Sequence, residues 1–419
     1  MKLVITRSGY HAAGTLASRA ALFAVGPAIS VVTPLIAIPV IVRVHGAGAW
    51  TAVAIGQSVG AFGALLVSLS WPQLGPLVIA RADAGERPQI VADSIGSRLL
   101  MLAALAVPLA VTGAVLSPPG ARIVAALSAV AAAGAGLTFQ WYYVGIGAPG
   151  RLVLNEAVVR VFATIAACGA LLLGAGLIVY PLALLGAVAV SLLLNMRGAG
   201  TAQYRHRWWH WAGVVDDWRR HRSTVVSRVV QGVYYSGSTA LVAAVSPAAA
   251  TPFAVLDKVT KSGVNGAVSF PQALTSWVVA RHSGQQAIRR VKAGLVIDSA
   301  FCLALALLTW SVLPIAVTYL LAGAYTVTGS VRVLVAAVVG LTIFNRAIRM
   351  HALLALGLEE YSARLTLATS CIGCVTLTLG LVWGGVVGSQ AGLVVAEAML
   401  AAGGLGRVLT ALRRPDDRG

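Results

Sequence analysis

The chain has 419 residues, of which 58% are hydrophobic and only 11% are charged, and its formal net charge is +18. Apolar runs long enough to cross a bilayer follow one another along the whole sequence, which excludes a soluble globular protein and predicts an all-α polytopic membrane protein. Nucleic-acid binding is excluded as well, because so few polar residues leave no soluble domain that could present a basic face.

Runs of about 20 apolar residues predict twelve transmembrane helices. Six lie in the first half of the chain, at residues 17–42, 50–70, 93–117, 122–146, 157–178 and 180–197. Six more lie in the second half, at residues 223–246, 250–272, 293–321, 331–350, 361–383 and 387–410. Residues 201–222 separate the halves and mix tryptophan with arginine and histidine, a composition that favours the headgroup layer of a membrane.

The two halves resemble each other in sequence. WPQLGPLVIAR at residues 71–81 returns as FPQALTSWVVAR at 270–281, and LNEAVVR at 154–160 returns as LEEYSAR at 358–364, each about 200 residues later. We therefore predict an N-terminal six-helix lobe at residues 1–200, a cytoplasmic interfacial linker at 201–222 and a C-terminal six-helix lobe at 223–419. Transporters are built from such repeats, with the substrate site between them.

Basic residues indicate how the chain lies in the membrane. Arginine and lysine crowd the gaps on one side, whereas the opposite side has only Arg43, Arg122 and Arg332. By the positive-inside rule, both termini and the linker are expected in the cytoplasm. The predicted location is the cell inner (cytoplasmic) membrane.

The stretch LDKVTK at residues 256–261 places one acid and two lysines inside the eighth predicted span. On an α-helix, Asp257, Lys258, Lys261 and Asn265 share one stripe. A charge at the bilayer centre costs about 2.5–3.5 kcal/mol on insertion scales, so this stripe is expected to face a hydrated cavity between the lobes. A second interpretation stays open: Asp257 and Lys261, at i and i+4, simply neutralise each other while the helix packs.

Other spans contribute further polar side chains to the same expected cavity. Arg228, Gln231 and Tyr235 share a face of the seventh span, and Arg19 lies near the start of the first. Together with the stripe they predict a substrate site that is basic on balance and suited to an anion. No phosphate-binding loop and no metal-ligand spacing occurs in the sequence, so neither a cofactor nor a metal is predicted.

Two acid–base pairs stand at the inner ends of the fifth and eleventh spans. Glu156 and Arg160 are spaced i, i+4, and so are their repeat equivalents Glu360 and Arg364. For both pairs we predict a salt bridge that fixes where the helix leaves the membrane.

Residues 138–160, TFQWYYVGIGAPGRLVLNEAVVR, carry an aromatic WYY, a Gly-rich turn and a basic residue in the next span. With the Trp-Pro-Gln after the second span and the lysines of the eighth, this segment resembles polysaccharide-biosynthesis flippases of the multidrug/oligosaccharidyl-lipid/polysaccharide (MOP) exporter superfamily. The resemblance covers the whole chain. It implies a MATE-like fold whose lobes alternate access and whose cationic cavity holds a polyprenyl-diphosphate-linked oligosaccharide. The implied partners are this lipid, membrane lipids, and a polysaccharide polymerase or ligase.

Other functions remain open at the level of sequence. A drug exporter of the same superfamily would be expected to offer embedded carboxylates, whereas this cavity holds more lysine and arginine than acid. Lipid II flippases resemble the chain but commonly carry two additional helices. An inactive scaffold of the same fold is a further alternative. A membrane glycosyltransferase, polymerase or ligase is disfavoured, because external gaps such as RVHGAGA and SPPGA are short and hold no acid.

Overall fold

A computed structural model describes residues 33, 35–204, 232–279 and 285–413, and no strand occurs among them. The α-helices of the first half are α1 (Leu35–His45), α2 (Ala47–Val67), α3 (Trp71–Arg81), α4 (Arg87–Leu116), α5 (Arg122–Ala133), α6 (Gln140–Gly145), α7 (Pro149–Leu152), α8 (Val159–Leu172) and α9 (Val179–Gly198). Those of the second half are α10 (Ser238–Val245), α11 (Pro247–Ala267), α12 (Ser269–Val279), α13 (Gln285–Leu320), α14 (Gly329–Ala347) and α15 (Glu359–Arg413). Shorter 3₁₀ segments are Pro119–Ala121 and Gly134–Leu137, and π-helical segments are Val153–Val158 and Ile348–Leu353.

Within these described ranges, eight helical segments are long and apolar enough to cross a membrane. The last of them, α15, combines the eleventh and twelfth predicted spans, which separate at Gly384 and Gly385, where the backbone leaves the helical conformation. The two arms approach so closely that a Cβ atom added at Gly380 would strike the carbonyl oxygen of Gly388, and the converse holds at Gly388. Glycine therefore permits both the turn and the tight contact between the arms.

The repeat between the halves is visible in helix lengths. In the first half, α2 has 21 residues and α3 has 11. Their counterparts α11 and α12 have 21 and 11 residues. Each second helix has the sequence aromatic-Pro-Gln in its first turn, with the proline at Pro72 in one half and at Pro271 in the other. Proline suits the first turn of a helix because its missing N–H would be unpaired there anyway.

This division corrects the extent of the eighth predicted span, whereas the four residues of its expected stripe all lie within α11. The sequence projection runs one straight helix through residue 272, whereas α11 ends at Ala267 and a new helix begins at Ser269. Asn265 lies near the end of α11 and is exposed. The physical reason is the proline at position 271, which cannot donate the backbone hydrogen bond that a continuous helix requires.

The apolar cores differ at the two ends of the helix bundle. At the end where α2 begins, one cluster joins both lobes, with Trp50 and Leu171 of the first half packed near Leu256 and Leu320 of the second. At the opposite end each lobe has a cluster of its own, one around Trp141 and one around Ile348. In the part of the chain that the structure describes, the lobes thus share a large apolar core at the end where α2 begins and have separate clusters at the other end. Under the predicted topology, the end with the shared core faces the outside of the cell.

Polar contacts join the lobes along α2. The hydroxyl oxygens of Thr51 and Thr251 are 2.6 Å apart, near the outer ends of their helices under the predicted topology. Deeper in the bundle, Ser58 Oγ donates to the carbonyl oxygen of Ser236 at 2.7 Å and accepts from the Ala240 N–H at 3.2 Å. These contacts place α2 directly against α10 and α11.

The orientation in the membrane is testable by cysteine labelling. We expect a cysteine introduced at the exposed Ala202, in a protein freed of its four native cysteines, to react with an impermeant maleimide only after cells are permeabilised. The reason is the basic bias of the loops on that side. A cysteine at Gly120, which has open space around it, serves as the matched control and should react in intact cells. The reverse pattern would invert the predicted topology.

Candidate functional site

The charged residues of α11 occupy two neighbouring environments. Much of the rest of this helix is apolar, and its Phe253, Val255 and Val264 are buried in the core. Asp257 and Lys261 are one helical turn apart, and Lys261 Nζ lies 2.6 Å from Asp257 Oδ2. Their side chains are 13% and 21% exposed, so the pair faces a partly open space.

Asp257 has its hydrogen bonds satisfied by neighbours from the start of α10. Ser238 Oγ donates to Asp257 Oδ1 at 3.1 Å, and Thr239 Oγ1 donates to Oδ2 at 2.9 Å. Lys261 Nζ additionally donates to Ser238 Oγ at 3.1 Å. The carboxylate is therefore neutralised by one lysine and held by two hydroxyls, which is what a buried charge requires. This geometry agrees with the second sequence interpretation, a charge pair that stabilises helix packing.

Lys258 faces the other lobe and has a different environment. Its Nζ donates to Gln57 Oε1 of α2 at 3.3 Å. Lys261 repels Lys258, Asp257 attracts it, and Arg160 of α8 adds a smaller repulsion. No carboxylate within the described ranges forms a salt bridge with Lys258. Lys258 is thus a cation with a neutral partner and a like charge nearby.

Tyr235 lies between two cations of the C-terminal lobe. Lys261 Nζ is 5.7 Å from the centre of its ring, and the Arg346 guanidinium is 5.6 Å from it. Arg346 Nη2 also donates to the Tyr235 hydroxyl oxygen at 3.0 Å. The negative face of an aromatic ring attracts cations, so Tyr235 holds both groups at the edge of the same space.

A cavity of about 300 Å³ opens beside Tyr235 and is closed on one side by Leu65 and Gln73 of the N-terminal lobe. Its remaining polar lining comes from the C-terminal lobe: Tyr234, Tyr235, Ser236, Thr342, Asn345, Arg346, Arg349, Thr366, Thr369, Ser370 and Glu397. The cavity thus lies between the lobes and is lined by many polar side chains. Its size falls at the lower end of the range for small-molecule sites.

Three of these residues were missed in the sequence prediction. Arg346 and Arg349 lie at the inner end of the tenth span, and Glu397 lies within the twelfth. Glu397 is only 7% exposed and lies within electrostatic range of both arginines. An ionisable residue inside a span is a functional candidate by default, and that signal could have identified all three.

The structure brings together only part of the predicted site. Four predicted residues lie close together: Tyr235, Asp257, Lys258 and Lys261. Asn265 is exposed near the end of α11, and its side chain forms no hydrogen bond with any other described residue. Arg19, Arg228 and Gln231 lie outside the described residues, as does most of the predicted linker.

The two predicted salt bridges at the helix ends have different outcomes. Arg364 and Glu360 form theirs at 2.6 Å, and both side chains are largely exposed. The prediction for Glu156 and Arg160 is wrong. Glu156 instead accepts hydrogen bonds from the Thr138 hydroxyl, the Phe139 N–H and the Asn195 amide.

Helix packing explains this correction. The Thr138 and Phe139 partners of Glu156 lie where α5 has ended and a short turn precedes α6, so Glu156 binds an unpaired backbone N–H that no helix satisfies. Arg160 is within electrostatic range of both Glu156 and Lys258.

A second cavity, of about 310 Å³, lies between these segments and α9 in the N-terminal lobe, and both Glu156 and Arg160 line it.

Comparison with solved structures identifies the fold. A scan of the sequence against protein-family models finds no match, and no curated protein matches it. Solved structures do match, among them a multidrug resistance MATE family transporter of the MOP superfamily in its inward-facing conformation, with 14% identity, coverage of 94% of this chain and 95% of that chain, and a TM-score of 0.57.

Two further solved structures are similar. The outward-facing conformation of a multidrug resistance MATE family transporter of the MOP superfamily has 14% identity, covers 96% of each chain and gives a TM-score of 0.54. A mutant of the Vibrio cholerae MATE transporter VcmN has 13% identity, covers 96% of this chain and 98% of that chain, and gives a TM-score of 0.52. At such identities the likeness establishes the fold, and the expected fold is confirmed. The chain is a multi-pass, all-helical membrane protein with a MATE-like two-lobed fold.

Proposed function

We propose that the protein is an alternating-access exporter that moves a polyprenyl-diphosphate-linked oligosaccharide from the cytoplasmic to the outer leaflet of the cytoplasmic membrane. The observation that carries this proposal is the charge of the space around Tyr235. Lys261, Arg346 and Arg349 lie around it, against the carboxylates of Asp257 and Glu397, and Lys258 adds a further cation on the neighbouring face of α11. The space is therefore net positive, and low dielectric strengthens its attraction for an anion.

The chemistry of such a lipid fits this site. Its diphosphate and sugars are the parts that cannot cross hydrocarbon unaided, whereas the polyprenyl tail can remain in the bilayer. Lys258 is the group best placed to receive a phosphate, because its hydrogen-bond partner Gln57 is neutral and the like charges of Lys261 and Arg160 repel it. Lys261 is already engaged by Asp257 and is better placed to support than to initiate binding.

Alternating access is supported by the unequal ends of the bundle. The shared apolar core and the Thr51–Thr251 contact close one end, and separate cores at the other leave the lobes free to part there. Under the predicted topology this is a state open toward the cytoplasm, where the lipid is made. A polysaccharide polymerase or ligase outside would consume the exported lipid.

One alternative has an observation in its favour. Glu397 is a buried carboxylate on the cavity wall, and the similar solved structures include multidrug resistance transporters. An embedded acid could receive a cationic drug. The two arginines beside Glu397 oppose this reading, because they repel a second cation from the same space.

A competition assay on the purified protein separates the two functions. We expect polyprenyl diphosphate to displace a bound fluorescent lipid at least about 100-fold better than polyprenyl alcohol, because two charge-assisted hydrogen bonds contribute about 1.5–3 kcal/mol each. The tail is the same in both, so the diphosphate alone makes the difference. A deletion strain should lose surface polysaccharide and keep its resistance to cationic drugs. Equal competition, or lost drug resistance with normal polysaccharide, would favour the drug exporter.

A further inference from the structure

One wall of the cavity beside Tyr235 carries a buried acceptor whose orientation is fixed. Asn345 is 2% exposed and lines the cavity. Its Nδ2 donates to Glu397 Oε2 at 2.8 Å and to the Glu397 carbonyl oxygen at 2.9 Å. Both bonds require a nitrogen at that position, so the amide cannot be reversed. Its Oδ1 has no hydrogen-bond partner among the described residues.

Glu397 has spare acceptor capacity at the same place. Among the described residues, its Oε1 accepts one long hydrogen bond of 3.3 Å, from the Tyr234 hydroxyl. A carboxylate oxygen accepts two hydrogen bonds readily, so Oε1 can take a shorter one from a ligand. Donors line the same cavity, since each guanidinium of Arg346 and Arg349 has five N–H groups and one of those of Arg346 is donated to Tyr235.

The balance of charge decides which ligand suits this wall. The space around Tyr235 as a whole is net positive, but a phosphate or carboxylate placed directly at the Asn345–Glu397 wall would meet the Glu397 carboxylate, and a metal ion or ammonium group would meet Arg346 and Arg349. A neutral ligand that both donates and accepts hydrogen bonds uses every group without repulsion. Sugar hydroxyls have this property, and Tyr234 and Tyr235 border the cavity with apolar ring atoms that can contact a pyranose ring.

We propose that this cavity is a carbohydrate subsite that binds the neutral pyranose ring adjacent to the diphosphate, with Asn345 and Glu397 accepting from its hydroxyls and Arg349 donating to them. The inference rests on the proposed function, because the diphosphate reaching Lys258 brings the first sugar to the cavity. Tyr235 is common to both parts of the site: it contacts Lys261 on one side and borders the cavity on the other. The glycan would then be selected in the C-terminal lobe.

The test compares two lipids on the purified full-length protein. The probes are polyprenyl diphosphate and the same lipid carrying one N-acetylhexosamine. We expect the wild type to bind the glycosylated lipid about tenfold more tightly than the bare diphosphate, because one or two hydrogen bonds to buried partners contribute about that much affinity. Asn345→Ala and the isosteric Glu397→Gln should lose that gain, and both should bind the bare diphosphate at least as well as the wild type. Ser389→Ala removes a buried hydroxyl from α15 outside the cavity and should keep the gain.

The two hypotheses fail in different ways. Equal affinity of the wild type for both lipids, with the diphosphate still preferred over the alcohol, overturns the carbohydrate subsite and leaves the proposed function intact. A gain that persists in both cavity variants also overturns the subsite. If the bare diphosphate binds no better than the alcohol, the proposed function fails, and the subsite that rests on it fails with it.

Discussion

Replacing Lys258 with alanine should lower the affinity for polyprenyl diphosphate roughly 10- to 100-fold, since a hydrogen bond to a charged group contributes about 1.5–3 kcal/mol. Lys258 has only a neutral partner, Gln57, so its loss leaves no carboxylate without a counter-ion. Removing a cation from the bilayer interior also makes insertion easier, and the variant should reach the membrane normally. The measurements are lipid binding on purified protein and surface polysaccharide in cells.

Two comparisons make this result specific. Lys292→Ala removes the same charge from an exposed position on α13 and should bind lipid like the wild type. Lys261→Ala should behave differently from Lys258→Ala, because it deprives Asp257 of its ion-pair partner and lowers stability together with binding. Wild-type affinity in the Lys258 variant would show that the anion site lies elsewhere.

Asp298→Ala is expected to cause the largest loss of stability. His351 Nδ1 lies 2.6 Å from Asp298 Oδ2, and both side chains are fully buried. The other ring nitrogen of His351 donates to the Pro271 carbonyl oxygen at 2.7 Å. Removing one partner of a buried pair costs about 3–5 kcal/mol, which should appear as a lower free energy of unfolding in detergent. The loss falls on three segments at once: α12, α13 and the π-helical turn that carries His351.

Substitutions of graded severity check this explanation. Asp298→Asn should be milder than alanine, because an amide N–H can donate to Nδ1 while His351 keeps its proton toward Pro271. Glu360→Ala breaks an ion pair of the same length in which both partners are exposed, and it should change stability too little to measure. If the alanine variants at 298 and 360 were equally stable, burial would not be what makes the first pair important.

The sequence predicted the charged residues of one span of the site but missed those of two other spans. Asp257, Lys258 and Lys261 were found because three charges in one apolar span need an explanation. Arg346, Arg349 and Glu397 were missed because each lies in a span whose average is strongly apolar. They meet only because α14 packs against α15, which no local pattern in either span reveals.

What the sequence alone determined is the membrane-spanning, all-helical character of the chain and the positions of most spans. A bilayer imposes this locally, because every backbone polar group in hydrocarbon must be satisfied within its own helix, whatever its neighbours are. The break between the last two spans was also predicted, because one apolar run ends at residue 383 and the next begins at 387. The structure places a turn there, at Gly384 and Gly385.

Only the tertiary structure decided which polar groups are partners. The i, i+4 spacing predicts the same salt bridge for Glu156–Arg160 as for Asp257–Lys261, yet only the second forms. Lys258 contacts Gln57, which is 201 positions away in the chain. Side-chain partners depend on how neighbouring helices are rotated and how far each extends, and these are set by packing across the whole bundle rather than by spacing within one helix.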